Sequence, residues 1–182
     1  LYGGDSGDIS DEEAFAFEIV PARSFKLAML LGVISSQPKA ISSRAAMIHT
    51  QKSSPFYAAW CATSQHDFIS AQKALKDGSL ESLGPIVEYS TLKMHASILA
   101  AQPAINYLAP ESLGLISLVQ EIRKNHGPIA FFTMDAGPNV KIICEVHYLE
   151  LIKNIITHSA LCSDVRVSYP GRGAFISDEH IT

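Results

Sequence analysis

Apolar positions run from Ala14 to Val20 and again from Phe25 to Ile34, with turn residues Pro21-Ala22-Arg23-Ser24 between them and Ser35-Ser36-Gln37-Pro38 after. That pattern predicts two strands, the second buried on both faces. The period then changes. Ser42 and Ser43 precede Ala45, Met47 and Ile48, a Ser pair ahead of helix formers that marks a helix start. Ser53-Ser54-Pro55 opens a second helix, with Ser54 as N-cap and Pro55 at the first helical position, running through Trp60 towards Leu75 and stopping at Gly78. Ser79-Leu80-Glu81-Ser82 opens a third that carries Leu83, Ile86, Val87, Leu92, Met94 and Leu99, and Pro85 must then lie in its first turns.

A loop with Pro103 and Pro110 leads to a fourth helix from about Glu111 to Asn125, in which Leu115, Ile116, Leu118, Val119 and Ile122 form one stripe. Gly127 and Pro128 end it. Ile129 to Met134 and Val140 to Val146 are strand-like and flank Asp135-Ala136-Gly137-Pro138-Asn139, which predicts a hairpin. A helix near Leu149 to Leu161 and a strand near Val165 to Tyr169 complete the order. Such an order implies an α+β fold, an antiparallel or mixed sheet with helices packed on one side. At 182 residues the chain suits one domain. No internal repeat interrupts it.

Composition narrows the function. Nearly half the residues are apolar and the formal charge is −4, with no Lys/Arg cluster, which counts against a nucleic-acid surface while leaving small anions free to bind locally. Cys61, Cys144 and Cys162 lie too far apart for a disulfide framework or a paired-Cys metal site, and a reducing cytoplasm fits them best. The longest apolar run, Leu27 to Ile34, is too short to cross a bilayer, and neither a membrane span nor a targeting signal is read. The first residue is Leu rather than Met, so the expectation is that the chain has lost its beginning. Residues 5–13 are acidic, small and without periodicity, a solvated loop.

Asp135 is the leading candidate for chemistry. It falls where a strand ends and small residues let a ligand come close, so its carboxylate either faces a cleft or accepts N–H bonds inside its own turn. Ser42-Ser43-Arg44 puts hydroxyls and a guanidinium at a helix start, a site for phosphate or carboxylate or a plain N-cap with Arg44 in solvent. His95, in Met94-His95-Ala96-Ser97, sits on a mostly apolar helix, where it meets substrate or, the blander reading, is a satisfied core histidine. His49, His66, His126, His147, His158 and His180 lack metal-ligand spacing. Tyr169-Pro170-Gly171-Arg172-Gly173 matches no phosphate-loop pattern, and no Ser stands in a GxSxG elbow.

The run Phe132-Thr133-Met134-Asp135-Ala136-Gly137-Pro138-Asn139-Val140-Lys141 resembles the signature of the mevalonate diphosphate decarboxylases, members of the GHMP kinase superfamily. Other segments agree in order. Leu1-Tyr2-Gly3-Gly4 is similar to the end of a Ser-Arg-Ser-Leu-Tyr-Gly-Gly stretch, Ser42-Ser43-Arg44 with Met47 to a substrate-side loop and helix, and Met94-His95-Ala96 to the family's Met-His-Ala helix. The resemblance implies a C-terminal GHMP-type domain over 1–182, with 1–13 a remnant of the N-terminal half and most of the ATP-binding domain absent. It further implies mevalonate diphosphate as substrate, ATP and Mg²⁺, a cytoplasmic enzyme and a homodimer. By the same resemblance the catalytic role is expected of Asp135, and substrate contacts are expected of Ser43, Arg44 and Ala136.

The family's Gly-rich phosphate loop is not in this sequence, so the chain alone should bind ATP poorly and be inactive. Asp5 follows Gly4 where the family continues with an aromatic segment, so those two residues are expected not to be true neighbours. Two alternatives stay open. One is a mevalonate or phosphomevalonate kinase or a phosphomevalonate decarboxylase on the same fold, and the other is a non-catalytic dimerisation domain.

Overall fold

The computed structural model describes residues 18–21 and 24–171. Its elements run β1 (Leu27–Val33), α1 (Ser43–Ser53), α2 (Tyr57–Lys76), α3 (Leu80–Leu99), α4 (Pro110–His126), β2 (Ala130–Thr133), β3 (Val140–Glu145), a 3₁₀ turn (Val146–Tyr148), α5 (Leu149–His158) and β4 (Asp164–Ser168). The strands pair antiparallel throughout in the order β2-β3-β1-β4, which makes the domain α+β. Local chemistry sets the helix ends. Ser42 Oγ accepts from Ala45 N at the start of α1, and Ser79 Oγ from Ser82 N at the start of α3. Pro110 begins α4, where a missing N–H costs nothing. Gly78 ends α2 at φ +63°, backbone that a side chain would strain.

Four expectations need correction. Of the strand expected over Ala14–Val20, residues 14–17 lie outside the described set and Glu18, Ile19 and Val20 are not strand. Burial of β1 alternates along its length instead of being complete on both faces. Helices cover both faces of the sheet, not one. On one face Ala28, Leu30, Ala130, Phe132, Val140, Ile142 and Cys144 pack with Leu115, Val119 and Ile122 of α4 and with Ile152 and Ile156 of α5. On the other, Phe131 and Ile143 pack with Leu80 and Leu83 of α3 and Ala74 of α2. Alternation along β2 is the cause: Ala130, Phe131 and Phe132 are all buried, so both faces of that strand need a cover. The second helix also starts two residues later than Pro55, with Ser54 Oγ accepting from Phe56 N ahead of it.

Helix α3 lies unusually close to β2. A Cβ on Gly84 would come within 2.1 Å of the Phe131 ring, so only glycine permits this approach. Close contact matters because β2 is an edge strand, and its outward main-chain groups need partners. Glu88 of α3 accepts from Phe132 N at 2.9 Å. Arg123 of α4 donates to Ala130 O at 2.9 Å and pairs in bidentate fashion with Glu88 at 2.6 and 3.0 Å. Thr91 of α3 accepts from Met134 N at 3.4 Å and meets Thr133 Oγ1 at 3.0 Å. Two helices therefore supply what a fifth strand would have supplied.

Removing Glu88 strands the Arg123 charge and the Phe132 N–H together. Glu88→Ala should lower the unfolding free energy by about 2–4 kcal/mol. Urea denaturation measures it, and a loss no larger than that of an exposed surface mutation would contradict the role given to this pair.

Candidate active site

Asp135 lies two residues past the end of β2, after Met134, and the turn that follows it is clamped from two sides. Ser112 Oγ of α4 donates to Pro138 O at 2.6 Å. The Asn139 amide accepts from Ile34 N at 2.8 Å and Ser35 N at 3.0 Å, and donates to Ser35 O at 3.0 Å. The turn is thus fixed to the end of β1. With its backbone held, the Asp135 side chain stands 68% exposed, while Ala136 and Gly137 are buried. Oδ1 pairs with Lys141 Nζ at 2.8 Å. Lys141 reaches it from β3, where it pairs with Thr133 across the strands. Its own turn does not use the carboxylate up; a hydrogen bond from the Asp135 amide is a minor contribution beside Lys141.

A second ammonium lies close by. Lys39, in the segment after β1, donates from Nζ to Ser43 Oγ at 3.3 Å. A Cβ on Gly137 would lie 3.1 Å from Lys39 Cε, so the bare glycine lets the lysine chain lie against the turn. Lys39 thereby links the start of α1 to the Asp135 turn. The packing of Ala46 of α1 against Ile98 of α3 and Ile105 sets the position of α1. Beside the cluster a groove of about 400 Å³ is lined by Ser35, Lys39, Ile41, Asn106, Tyr107 and Pro138.

Asp135, Ala136 and Ser43 are therefore brought into one neighbourhood. Arg44, next along α1, is exposed and forms no hydrogen bond or ion pair with the described residues. The Leu1-Tyr2-Gly3-Gly4 segment and the Gly4–Asp5 junction lie outside the described residues. Sequence reasoning missed Lys39 and Lys141 as site members. Lys141 closes the signature run and Lys39 stands four residues before Ser43, but neither position carries a pattern that points at an aspartate. His95 is only partly the satisfied core histidine expected: the ring is buried, yet Nε2 has no hydrogen-bond partner among the described residues.

Electrostatics at Asp135 have a clear direction. Partial burial pushes its carboxyl pKa up, but the hydrogen bond and charge of Lys141, aided by the charge of Lys39, outweigh this and hold it below the ordinary 3.8. For His95 burial dominates and lowers the pKa from 6.5, against the main chain and charge of Asp135, which raise it. The acid is therefore ionised and the imidazole neutral at pH 7. Cys144 is a packing residue, its thiol pushed up to about 11 by burial and by the Glu145 charge. Among the described residues no group of three His, Cys, Asp or Glu side chains could hold a metal ion. No described helix is long and apolar enough to cross a membrane.

A depressed carboxylate stabilises the fold above its unfolded pKa, and the contribution is lost as pH falls through the folded value. Lys141→Met should therefore move the Asp135 carboxyl pKa back towards 3.8, and ¹³C NMR titration of the carboxyl reads the shift. An unmoved titration would show that Lys141 does not hold the acid.

Comparison with known proteins bears on this geometry. Residues 29–172 match the family model described as the mevalonate 5-diphosphate decarboxylase C-terminal domain. A diphosphomevalonate decarboxylase of Schizosaccharomyces pombe is 27% identical over 164 residues, which cover 86% of this chain and 42% of that protein. The crystal structure of the mevalonate diphosphate decarboxylase of Staphylococcus aureus superposes with a TM-score of 0.75 at 34% identity, over 81% of this chain and 45% of that one. The complex of MDDEF with MVAPP, AMPPCP and magnesium superposes at 0.76 with 35% identity, over 85% and 47%. The chain thus spans a little under half the length of the relatives it matches. By the length of the match and the fold it shares with them, the chain belongs to the mevalonate 5-diphosphate decarboxylase C-terminal domain family, in the GHMP kinase superfamily.

Proposed function

We propose that the protein carrying this chain converts mevalonate 5-diphosphate to isopentenyl diphosphate with release of CO₂, consuming ATP, and that Asp135 is its catalytic carboxylate. One observation carries the assignment: Asp135 stands exposed on a clamped strand end, paired with a lysine, with its charge not spent on its own turn. The solved complex of a relative with MVAPP, AMPPCP and magnesium supports the substrate and nucleotide. Decarboxylation is favoured over a kinase reaction on the same fold because the decarboxylase family model spans most of the chain.

The substrate hydroxyl is a poor leaving group until it is phosphorylated, and ATP supplies the phosphoryl group. Asp135 contributes by accepting a hydrogen bond from that hydroxyl, which aims its oxygen for in-line attack. A carboxylate held below its ordinary pKa is a weak base, so orientation outweighs proton removal in this role. Its negative charge also favours positive charge developing at the tertiary carbon. Lys39 and Lys141, with the Ser43 hydroxyl and the exposed Arg44, suit the anionic groups of substrate and nucleotide. The buried Ala136 keeps the floor beside Asp135 small. Mg²⁺ would enter with the nucleotide phosphates, whose negative charge it would offset. The three unpaired thiols suit a cytoplasmic enzyme, and the family resemblance suggests a homodimer.

Asp135→Asn in the complete enzyme should lose turnover by at least ~10²-fold with little change in substrate affinity. Trapped ¹⁴CO₂ from carboxyl-labelled substrate measures it. Full turnover would remove Asp135 from the mechanism, and a stable phosphorylated product without CO₂ would mark a kinase instead.

A further inference from the structure

The ladder between β2 and β3 closes at Thr133 opposite Lys141. Beyond it the turn that carries Asp135 is held by side-chain bonds: Thr91 Oγ1 accepts from Met134 N where the turn begins, and the Asn139 amide meets Ile34 and Ser35 where it ends. Ser112 of α4 supplies the bond in between, donating from Oγ to Pro138 O at 2.6 Å across 26 residues of chain. The same oxygen accepts from Ala109 N at 3.1 Å. A hydroxyl has one proton, and giving it to Pro138 O leaves the lone pairs to take the amide. One atom therefore ties the start of α4 to the turn of the acid.

We propose that Ser112 is a positioning residue: through the Pro138 carbonyl its hydroxyl fixes the peptide between Pro138 and Asn139, and with it the point from which Asp135 presents its carboxylate to the substrate hydroxyl. This rests on the reading of Asp135 as the catalytic carboxylate. Little in the turn can absorb a shift. The Pro138 ring fixes its own φ, Ala136 and Gly137 are buried, and Asp135 Oδ1 is engaged by Lys141 at 2.8 Å. Moving the 138–139 peptide therefore moves the acid relative to Lys141. Ala109 and Pro138 also both line the groove of about 400 Å³ beside the site, so the Ser112 hydroxyl joins two parts of its wall.

Helix formation alone does not call for serine at this position. Alanine has the higher helix propensity, and Ser112 is fully buried, where a hydroxyl needs partners. Other buried hydroxyls show the contrast. Thr50 donates to Ala46 O within its own helix, and Ser97 Oγ has no hydrogen-bond partner among the described residues. Ser112 is bonded on both sides, and its proton goes to the turn of the acid instead of to its own helix.

Three replacements test it in the complete enzyme, each assayed where circular dichroism shows it folded. Ser112→Ala should lower kcat about 10- to 30-fold, with KM for the diphosphate substrate changed less than about twofold. Ser112→Thr, which returns the hydroxyl, should recover kcat to within about threefold of the unaltered enzyme. Ser97→Ala deletes an equally buried helical hydroxyl that has no partner among the described residues, and it should leave kcat within about twofold. Unchanged kcat in Ser112→Ala would overturn the proposal, as would threonine no faster than alanine or an equal loss in Ser97→Ala. Should Ser112→Ala fail to fold, Ser112→Cys fills the same space with a weak donor, and a kcat there as high as that of the unaltered enzyme would refute the role. The position of the acid is also read without turnover. The ¹³C carboxyl signal of Asp135 should shift in Ser112→Ala and return in Ser112→Thr, and a signal unmoved by the alanine would count against Ser112. Absence of CO₂ release by the unaltered enzyme would sink the functional reading alone, since the carboxyl signal is recorded without catalysis.

Discussion

A strand at the rim of a sheet exposes a row of N–H and C=O groups that must bond to something. In this domain the rim strand is β2, which also delivers Asp135. Side chains of α3 and α4 meet its outward groups, so the helix packing and the placement of the acid are one problem with one solution. The solution depends on Gly84, because any larger residue would lift α3 off the Phe131 ring and draw Glu88 and Thr91 out of reach. With its free side bonded in this way, β2 pairs with β3 in the hairpin that brings Lys141 to the acid.

Much of this was legible along the chain. Leu115, Val119 and Ile122 recur at helical spacing and do line the core, and the apolar runs either side of the Asp135 turn do form a hairpin. Ser42 and Ser79 cap the helices they were expected to open, because the hydroxyl-to-amide bond is local. Non-local chemistry was not legible. Glu88 and Thr91 look like the wet side of a helix until β2 is seen to lie against them. Phe131 and Ile143 reveal the second covered face only once the sheet has formed, since a short apolar run looks the same with one cover or two. At the site, Asp135 could be named from its turn and family signature. Lys39 could not, because its nearness to Gly137 bridges almost a hundred residues of chain.

Charge at the site runs opposite to charge on the whole. The chain is formally −4, yet around Asp135 two ammonium groups converge on a single carboxylate. A small anion approaching this end of the sheet therefore meets a local positive excess, and the screening length at physiological salt, about 8 Å, keeps the distant acidic residues from cancelling it.

Asn139 spends one side-chain amide on three main-chain bonds to Ile34 and Ser35. As a result the segment bearing Lys39 leaves the sheet at the same knot where the turn bearing Asp135 rejoins it. The spacing between acid and ammonium is therefore set by a few residues either side of that knot, and it is insulated from whatever the outer faces of the helices acquire over evolutionary drift.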